Sequence, residues 1–158
     1  MDLQNIMRKE DVIDGRAASA FYISDGKRML LFHLKKWESK IDVEKTEIQR
    51  LGTTTTGHRY NGAKGTWTAD VYYVSDLFRK LVLEYLKSGK QFNFDIQISN
   101  DDKNSKAGRH TVIHRNCTID SVILAKIDVT STALEESMSG TFEGAEMPEE
   151  FKDLEGMN

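Results

Sequence analysis

The alternation of side chains across residues 37–48 constrains the fold more than any other feature of this chain. One side of the extended segment carries Trp37, Ser39, Ile41 and Val43, and the other side carries Glu38, Lys40, Asp42 and Glu44. A strand of this length reaches about 40 Å at ~3.3 Å per residue. The single proline, Pro148, lies near the C-terminus, so the rest of the chain contains few strand breakers. We therefore expect long, uninterrupted strands with one polar face.

Two further segments show the same alternation. Residues 65–74 place Trp67, Ala69, Val71 and Tyr73 opposite Thr66, Thr68, Asp70 and Tyr72. Residues 137–143 place Ser137, Ser139 and Thr141 opposite Met138 and Phe142. A period of two over several residues is typical of a half-buried strand. Each of these strands is therefore predicted to have one polar face and one apolar face.

The remaining patterns predict a β-rich chain with one main helix. A hairpin is predicted at residues 20–34, with its tight turn at Asp25 and Gly26. Strands are predicted at residues 92–98, 111–119 and 122–129, and a short helical turn at residues 130–136. The helix is capped by Ser75 or Asp76 and followed by Gly89. Its apolar stripe comprises Leu77, Phe78, Leu81, Val82, Tyr85 and Leu86. The predicted fold class is mainly β, a sandwich or barrel with one main α-helix.

Length and charge distribution predict a single domain with two distinct ends. A chain of 158 residues is the size of one domain. Residues 1–18 are polar and weakly patterned, which favours an N-terminal arm. The last sixteen residues carry a net charge of −5, against +2 for the rest, so residues 145–158 are predicted to be a solvated acidic tail or a docking strip for a basic neighbour. No apolar run approaches the ~20 residues of a membrane helix.

A polar, glycine-rich stretch at residues 53–68 has two interpretations. A phosphate-binding loop would indicate a nucleotide-binding enzyme, whereas a flexible loop that leads into a strand would serve assembly. A Walker A loop needs Ser or Thr directly after its lysine, followed by a helix. Here Gly65 follows Lys64, and a strand pattern takes the place of the helix, so the flexible loop is favoured. Its predicted members are Thr53, Thr54, Thr55, Thr56, Gly57, His58, Arg59, Gly62 and Lys64.

Other chemically active residues do not combine into a recognisable site. His110 and His114 near Cys117 suggest zinc, but this spacing on a strand separates the two rings by about 13 Å. Cys117 is the only cysteine, which excludes an intrachain disulfide, and its apparent strand favours a small buried side chain over a nucleophile. Residues 101–104 lack the spacing and final glutamate of a calcium loop. Lysines and arginines are dispersed, unlike those of a nucleic-acid-binding surface. We predict no enzyme activity, no metal and no cofactor.

Four segments are informative in combination: residues 56–58, residues 61–66 entering a strand, the capped apolar helix, and residues 128–136. Together they resemble the tail tube proteins of contractile-tailed phages. The resemblance is greatest to the PBSX-like group of Gram-positive prophages and phage-tail-like bacteriocins, and it extends from about Phe21 to Pro148. The threonine run at residues 53–56 and the longer N-terminal arm depart from the pattern.

The resemblance implies a homohexameric ring in which strands from each subunit join into a closed β-barrel. Stacked rings would form the tube of a contractile tail, assembled in the bacterial cytoplasm, with sheath, tape measure and baseplate proteins as partners and no membrane. Double-stranded DNA would pass through without specific binding, or no genome would be present in a bacteriocin. The predicted lumen-facing residues are Glu38, Lys40, Asp42, Glu44, Thr66, Thr68, Asp70, Ser137, Ser139 and Thr141. The exposed helix face with Arg79, Lys80, Glu84 and Lys87 is expected to lie toward the sheath.

Three polar segments are predicted to act in ring stacking. The arm, residues 49–64 and residues 100–108 have few apolar anchors, so we expect them to order only on assembly. The alternatives to a tail tube are the tube of a related contractile secretion or injection system and, more remotely, a small-ligand β-barrel or a nucleotide-binding protein. A ligand barrel would need an apolar pocket and shorter strands than residues 37–48 provide.

Overall fold

A computed structural model describes residues 6–154, 156 and 157. After a short 3-10 helix at Lys9–Asp11, the elements in chain order are β1 (Ala18–Ser24), β2 (Lys27–Leu30), β3 (Leu34–Ile48), β4 (Gly57–Tyr72), α1 (Leu77–Ser88), β5 (Phe94–Asp101), β6 (Arg109–Cys117), β7 (Glu135–Phe142) and β8 (Gly144–Glu149). The predicted fold class, mainly β with one main helix, is confirmed. No helix in the described part of the chain has the length and hydropathy that a membrane span requires.

The chain forms two compact units. The first contains the described residues of Met1–Phe32, Asn93–Asn116 and Gly144–Asn158, and the second contains His33–Phe92 and Cys117–Glu143. The first unit is built on a five-stranded sheet in the order β2-β1-β5-β6-β8. The predicted hairpin is confirmed, because Asp25 and Gly26 take positive φ angles of 51° and 76° between β1 and β2. Its core includes Tyr22 and Phe94, whose ring centroids are 5.2 Å apart.

The acidic C-terminal segment is a strand, so its prediction as a solvated tail is wrong for residues 145–149. β8 pairs antiparallel with β6, and Pro148 falls within an irregularity of the register, where no ladder hydrogen bond is needed from it. Arginines on β6 compensate the acidic charge, since Arg115 lies 3.1 Å from Glu146 and Arg109 lies 3.1 Å from Glu149. Two of the acidic side chains that would face solvent in an isolated tail, Glu146 and Glu149, therefore pair with arginines of the neighbouring strand.

The N-terminal arm is also held to the first unit, contrary to the prediction that it and residues 100–108 stay unordered before assembly. The backbone N–H of Asp14 donates to the Asp102 carboxylate at 2.9 Å, and the N–H of Lys106 donates to the Glu10 carbonyl at 2.9 Å. Ala107, which follows Lys106, is buried. Two polar segments thus satisfy each other's backbone groups within one chain. Residues 1–5 of the predicted arm lie outside the described residues.

The second unit contains an antiparallel sheet in the order β3-β4-β7 together with α1. Its apolar face buries Trp67, Ala69, Val71, Met138 and Phe142. Trp37 stacks on Trp67 with ring centroids 4.9 Å apart. Both tryptophans occupy apolar positions of the alternating pattern on neighbouring strands, so the strand pairing brings their side chains together on one side of the sheet.

Helix α1 confirms the predicted ends and corrects the predicted faces. Asp76 is its N-cap, and Gly89 ends it in the left-handed conformation with φ 70°. Two parts of the face assignment are wrong, because Arg79 is buried, whereas Tyr85 and Leu86 of the predicted apolar stripe are exposed. Arg79 is drawn inward by the buried carboxylate of Glu136, with which it forms an ion pair.

The segment before β7 differs from the prediction. Residues 122–129, predicted as a strand, lie outside any strand, and β7 already begins at Glu135, within the predicted helical turn. Residues 118–121 run along the edge of β7 instead, since the N–H groups of Thr118 and Asp120 donate to the carbonyls of Thr141 and Ser139 at 2.8 Å. Backbone pairing with β7 therefore ends at Ser121, just where the sequence becomes most apolar.

Candidate functional site

The polar sides of β3, β4 and β7 form one continuous surface, which we call the polar face. It comprises Glu38, Lys40, Asp42, Glu44, Thr66, Thr68, Asp70, Ser137, Ser139 and Thr141. Its rows are set by the strand register, in which Glu38 lies opposite Thr68 and Thr68 opposite Ser139. Directly opposed residues of antiparallel strands point to the same side of a sheet. The structure thus brings all of the predicted lumen-facing residues onto one side, and none of them is buried.

Short-range polar contacts join the charges of this face. Lys40 Nζ lies 3.7 Å from the Asp42 carboxylate, and Lys64 Nζ lies 3.1 Å from that of Glu44. The Ser137 hydroxyl donates to Asp70 at 2.7 Å. Lys64 was predicted in a loop, but its position opposite Asp42 in the β3-β4 register places it here. The lysines of the face therefore have carboxylate neighbours rather than forming an isolated basic patch.

Sequence reasoning missed Lys36 and Thr118 as neighbours of this surface. Lys36 lies opposite Asp70 in the register, and the hydroxyls of Thr118 and Thr141 are 2.6 Å apart. The period-two pattern, extended two residues before Glu38, would have found Lys36. Thr118 could not be found in this way, because it lies outside the three alternating strands.

Beyond the end of β7, β3 and β4 continue as a two-stranded extension that we call the hairpin ribbon, residues 42–64. The last pair that includes β7 joins Gly65 to Phe142, whereas β3 and β4 stay paired as far as Ile48 and Gly57. A two-stranded ribbon without a third strand is marginally stable in water. The ribbon therefore has the length and the weak support expected of a segment that gains contacts in an assembly.

The predicted loop proves to be partly strand. Thr53, Thr54, Thr55 and Thr56 lie in the connection between β3 and β4, as expected. Gly57, His58, Arg59, Gly62 and Lys64 lie within β4, so their assignment to a loop is wrong. The register of β4 shifts by one residue near Gly62, which has φ 110°. A glycine in that conformation accommodates a bulge within a strand, so the local glycine content does not break β4.

Arg79 of α1 forms the most extensive buried polar cluster of the second unit. Its guanidinium donates hydrogen bonds to two carboxylates, that of Glu136 at 2.5 Å and that of Asp76 at 2.9 Å. It also donates to two backbone carbonyls, that of Ser75 at 2.5 Å and that of Ile123 at 3.2 Å. The guanidinium carbon lies 4.5 Å from the ring centroid of Tyr73. Arg79 and Glu136 are only 6% and 4% exposed. The cluster links the helix, β7 and the segment that follows residue 121.

Burial and charge act in opposite directions on this pair. Burial lowers the pKa of the Arg79 guanidinium, but the hydrogen bond to Asp76 and the charge of Glu136 raise it by more, so it remains a cation. Burial raises the pKa of the Glu136 carboxyl, and the positive charge of Arg79 offsets only part of that rise. The pair is therefore structural and dependent on both partners.

The residues considered for metal or nucleophilic chemistry are not among those of the polar face. Cys117 is buried, and His114 points Nδ1 at the Ile96 carbonyl, 3.0 Å away, inside the first unit. Burial lowers the pKa of His114, with the bond to Ile96 opposing it. Among the described residues, no three His, Cys, Asp or Glu side chains are grouped to hold a metal ion.

Comparison with known proteins places this architecture in a family. The family described as "Phage tail tube protein" matches residues 5–149. The chain is 35% identical to the phage-like element PBSX protein XkdM of Bacillus subtilis (strain 168), over 93% of this chain and 97% of the relative. Its fold is similar to a chain of the sheath-tube complex of an extracellular contractile injection system, with TM-score 0.63 and 14% identity over 88% and 93% of the two chains. It is also similar to the SPP1 tail tube, with TM-score 0.61 and 15% identity over 86% and 78%.

The family match and the PBSX relative both span nearly the whole described chain, from the arm to β8. They confirm the resemblance drawn from the sequence. The two structural similarities lie below 25% identity and bear on the fold alone. The chain belongs to the phage tail tube protein family.

Proposed function

We propose that this protein is the structural subunit of the inner tube of a contractile tail, and that it forms hexameric rings whose lumen is lined by the polar face. The observation that carries the proposal is the register of β3, β4 and β7, which aligns small polar and charged residues from three strands on one side. On β4 and β7 the opposite side is buried where the three strands pair, so in that part of the sheet only the polar face is available to line a channel.

The edges of the β3-β4-β7 sheet favour closure between subunits. Within the described residues β3 pairs with β4 alone, which leaves its outer edge of fifteen residues without a neighbouring strand. Long exposed edges promote association, and a barrel closed across subunits removes them. The other edge, on β7, is lined by residues 118–121. Because the two edges differ, joining one to the other is head-to-tail, which generates rings when the rotation closes.

The chemistry of the polar face suits the passage of a polyanion. Affinity for DNA grows with the number of basic contacts to phosphate. On this face each lysine has a carboxylate beside or opposite it, and the remaining groups are hydroxyls or acids. We infer a wall past which double-stranded DNA moves without specific binding, or the wall of an empty tube in a bacteriocin-like particle, with no catalytic role.

Sheath, tape measure and baseplate proteins are the partners we propose for the assembled tube. Helix α1 presents Lys80, Glu84 and Lys87 to solvent, and we place this side toward the sheath. A tube of a related contractile injection system is the second candidate, favoured by the structural similarity to such a complex. Negative-stain electron microscopy of the purified protein at increasing concentration tests the common part of both, since rings or tubes are expected and a persistent monomer would contradict them.

Charge reversal on the polar face tests its orientation. In the double variant Asp70→Lys with Glu44→Lys, each ring gains basic groups where phosphate passes. We expect tubes of normal appearance that bind short duplex DNA strongly at low salt and eject DNA roughly tenfold more slowly. The measurements are filter binding to purified tubes and ejection from particles.

The matched control is Glu84→Lys on the exposed side of α1, which changes the same kind of charge away from the polar face. Its tubes should bind DNA as weakly as wild type. Polymerised Asp70→Lys, Glu44→Lys tubes with unchanged DNA binding and ejection would show that this face does not line the lumen.

Shortening the hairpin ribbon tests its role in stacking. Residues 46–59 can be replaced by a two-residue Asn-Gly turn, because Lys45 and Tyr60 are already directly opposed. The ribbon lies beyond the end of β7, so we expect the shortened chain to keep the wild-type circular dichroism spectrum. Its free energy of unfolding should stay within about 1 kcal/mol of the wild-type value. We also expect it to give single rings or monomers by sedimentation velocity. Full-length tubes from this variant would exclude the ribbon from stacking.

A further inference from the structure

Residues 122–129, which we call the outer segment, expose apolar side chains that packing within the chain does not use. Leu124, Ile127 and Val129 are 60%, 92% and 95% exposed. The run Val122-Ile123-Leu124-Ala125-Lys126-Ile127 is composed like a buried strand, yet the structure leaves it outside any sheet. Contiguous exposed apolar residues on a soluble protein commonly mark an interaction surface.

Two anchors determine which way the outer segment faces. The Ile123 carbonyl accepts a hydrogen bond from Arg79 at 3.2 Å, and Lys126 Nζ donates to the Glu135 carbonyl at 2.6 Å. The polar group of the only lysine in the segment is thereby directed onto β7, whereas the larger apolar groups on either side of it point to solvent. The segment is held in place at the edge of β7 with its apolar side chains outward.

A second apolar patch lies at the opposite edge of the same sheet, on the hairpin ribbon and the adjoining part of β3. Ile41, Val43 and Tyr60 are 54%, 51% and 72% exposed. Ile41 and Val43 share the side of β3 opposite the polar face. Tyr60 joins them because it opposes Lys45, which lies two residues after Val43 on the same side of β3. We call these three residues the ribbon patch.

We propose that the outer segment of one copy packs on the ribbon patch of the next copy, and that this contact joins neighbouring subunits in a ring. The inference rests on the proposed ring and specifies its interface. A second copy is the occupant because each chain carries one patch of each kind, one at the outer edge of β3 and the other just after residues 118–121, which line the edge of β7. Two unlike patches give a head-to-tail contact in which every copy uses both, which leaves neither exposed in a closed ring.

Two variants that each disable one patch test the pairing. The segment variant carries Ile127→Asp and Val129→Asp, and the ribbon variant carries Ile41→Asp and Val43→Asp. Each variant alone is expected to be a folded monomer by circular dichroism and sedimentation velocity, under conditions in which the wild type forms rings or tubes. An equimolar mixture is expected to form dimers and nothing larger, because one intact segment and one intact ribbon patch remain for each pair. If the ribbon variant fails to fold, Tyr60→Asp replaces it.

The outcomes separate this interface from the proposed tube. Rings or tubes formed by either variant alone would overturn the interface and leave the tube unaffected. A mixture that remains monomeric at millimolar concentration would also overturn the interface, because it shows that the two patches do not meet. Wild-type chains that never assemble would count against the tube, and a dimer in the mixture would still support the head-to-tail contact.

Discussion

Replacing Arg79 with methionine is expected to destabilise the folded protein by about 3–5 kcal/mol, because it leaves the carboxylate of Glu136 buried without its cation. Glu136 is 4% exposed and receives its short hydrogen bond from Arg79. The same substitution removes the hydrogen bond to the Ile123 carbonyl, which anchors the outer segment. Urea unfolding at neutral pH, followed by tryptophan fluorescence, measures the loss.

The loss should depend on pH with a definite sign. Burial already raises the pKa of the Glu136 carboxyl in the wild type, and without Arg79 the folded-state pKa rises further. A carboxyl with a raised folded-state pKa takes up a proton on folding. Its stabilising contribution is therefore complete below the unfolded value of about 4.3 and is lost as pH rises through the folded-state pKa. The difference between wild type and Arg79→Met should be smallest near pH 4 and largest near pH 7.

A double variant distinguishes the buried charge from lost packing. Adding Glu136→Leu to Arg79→Met removes the charge that has no partner, and it should restore most of the lost stability and abolish the added pH dependence. A loss below about 1 kcal/mol in Arg79→Met, with the same pH profile as wild type, would mean that water solvates Glu136 and that the pair does not support the fold.

Alternation of side chains was sufficient to predict the polar face, because β4 and β7 each bury their apolar side. Glu38, Thr68 and Ser139 lie in three strands that were assigned independently, and they form one row in the structure. The pattern could not supply the order or the register of the strands, which depend on pairing between distant residues. Nor could it show that β4 continues through Gly62, since a bulge and a loop contain the same residue types.

Distant partners account for what the sequence pattern missed. Helical spacing placed Arg79 on the wet side of α1, but Glu136, far along the chain, draws it into the interior. Charge counting predicted a solvated acidic tail, but Arg115 on β6 pairs with Glu146 there. The apolar run at residues 122–129 predicted a strand, and its anchors hold it beside β7 instead of in the sheet. Each case is a tertiary contact that overrides a local preference.

Gly140 is the position in β7 where adding a single methyl group should have the largest effect. A Cβ atom there would overlap the Thr118 carbonyl oxygen and would lie 2.7 Å from two ring carbons of Trp67. Neither neighbour can move easily. The Thr118 carbonyl accepts a hydrogen bond from Trp67 Nε1 at 3.2 Å, and the Trp67 ring is 2% exposed and stacked on Trp37.

Gly140→Ala is therefore expected to cost about 3 kcal/mol, the upper end of the range for overpacked cores. The least costly relief is displacement of residues 118–121 from the edge of β7, which would also move the outer segment and prevent ring formation. Denaturant unfolding and electron microscopy measure the two effects. Gly144→Ala is the matched control, because its Cβ would meet Arg115 at an ordinary 3.4 Å, and it should change stability by less than about 0.5 kcal/mol. If both variants are equally stable, the edge of β7 can accommodate a methyl group at residue 140, contrary to the close approach of the Thr118 carbonyl.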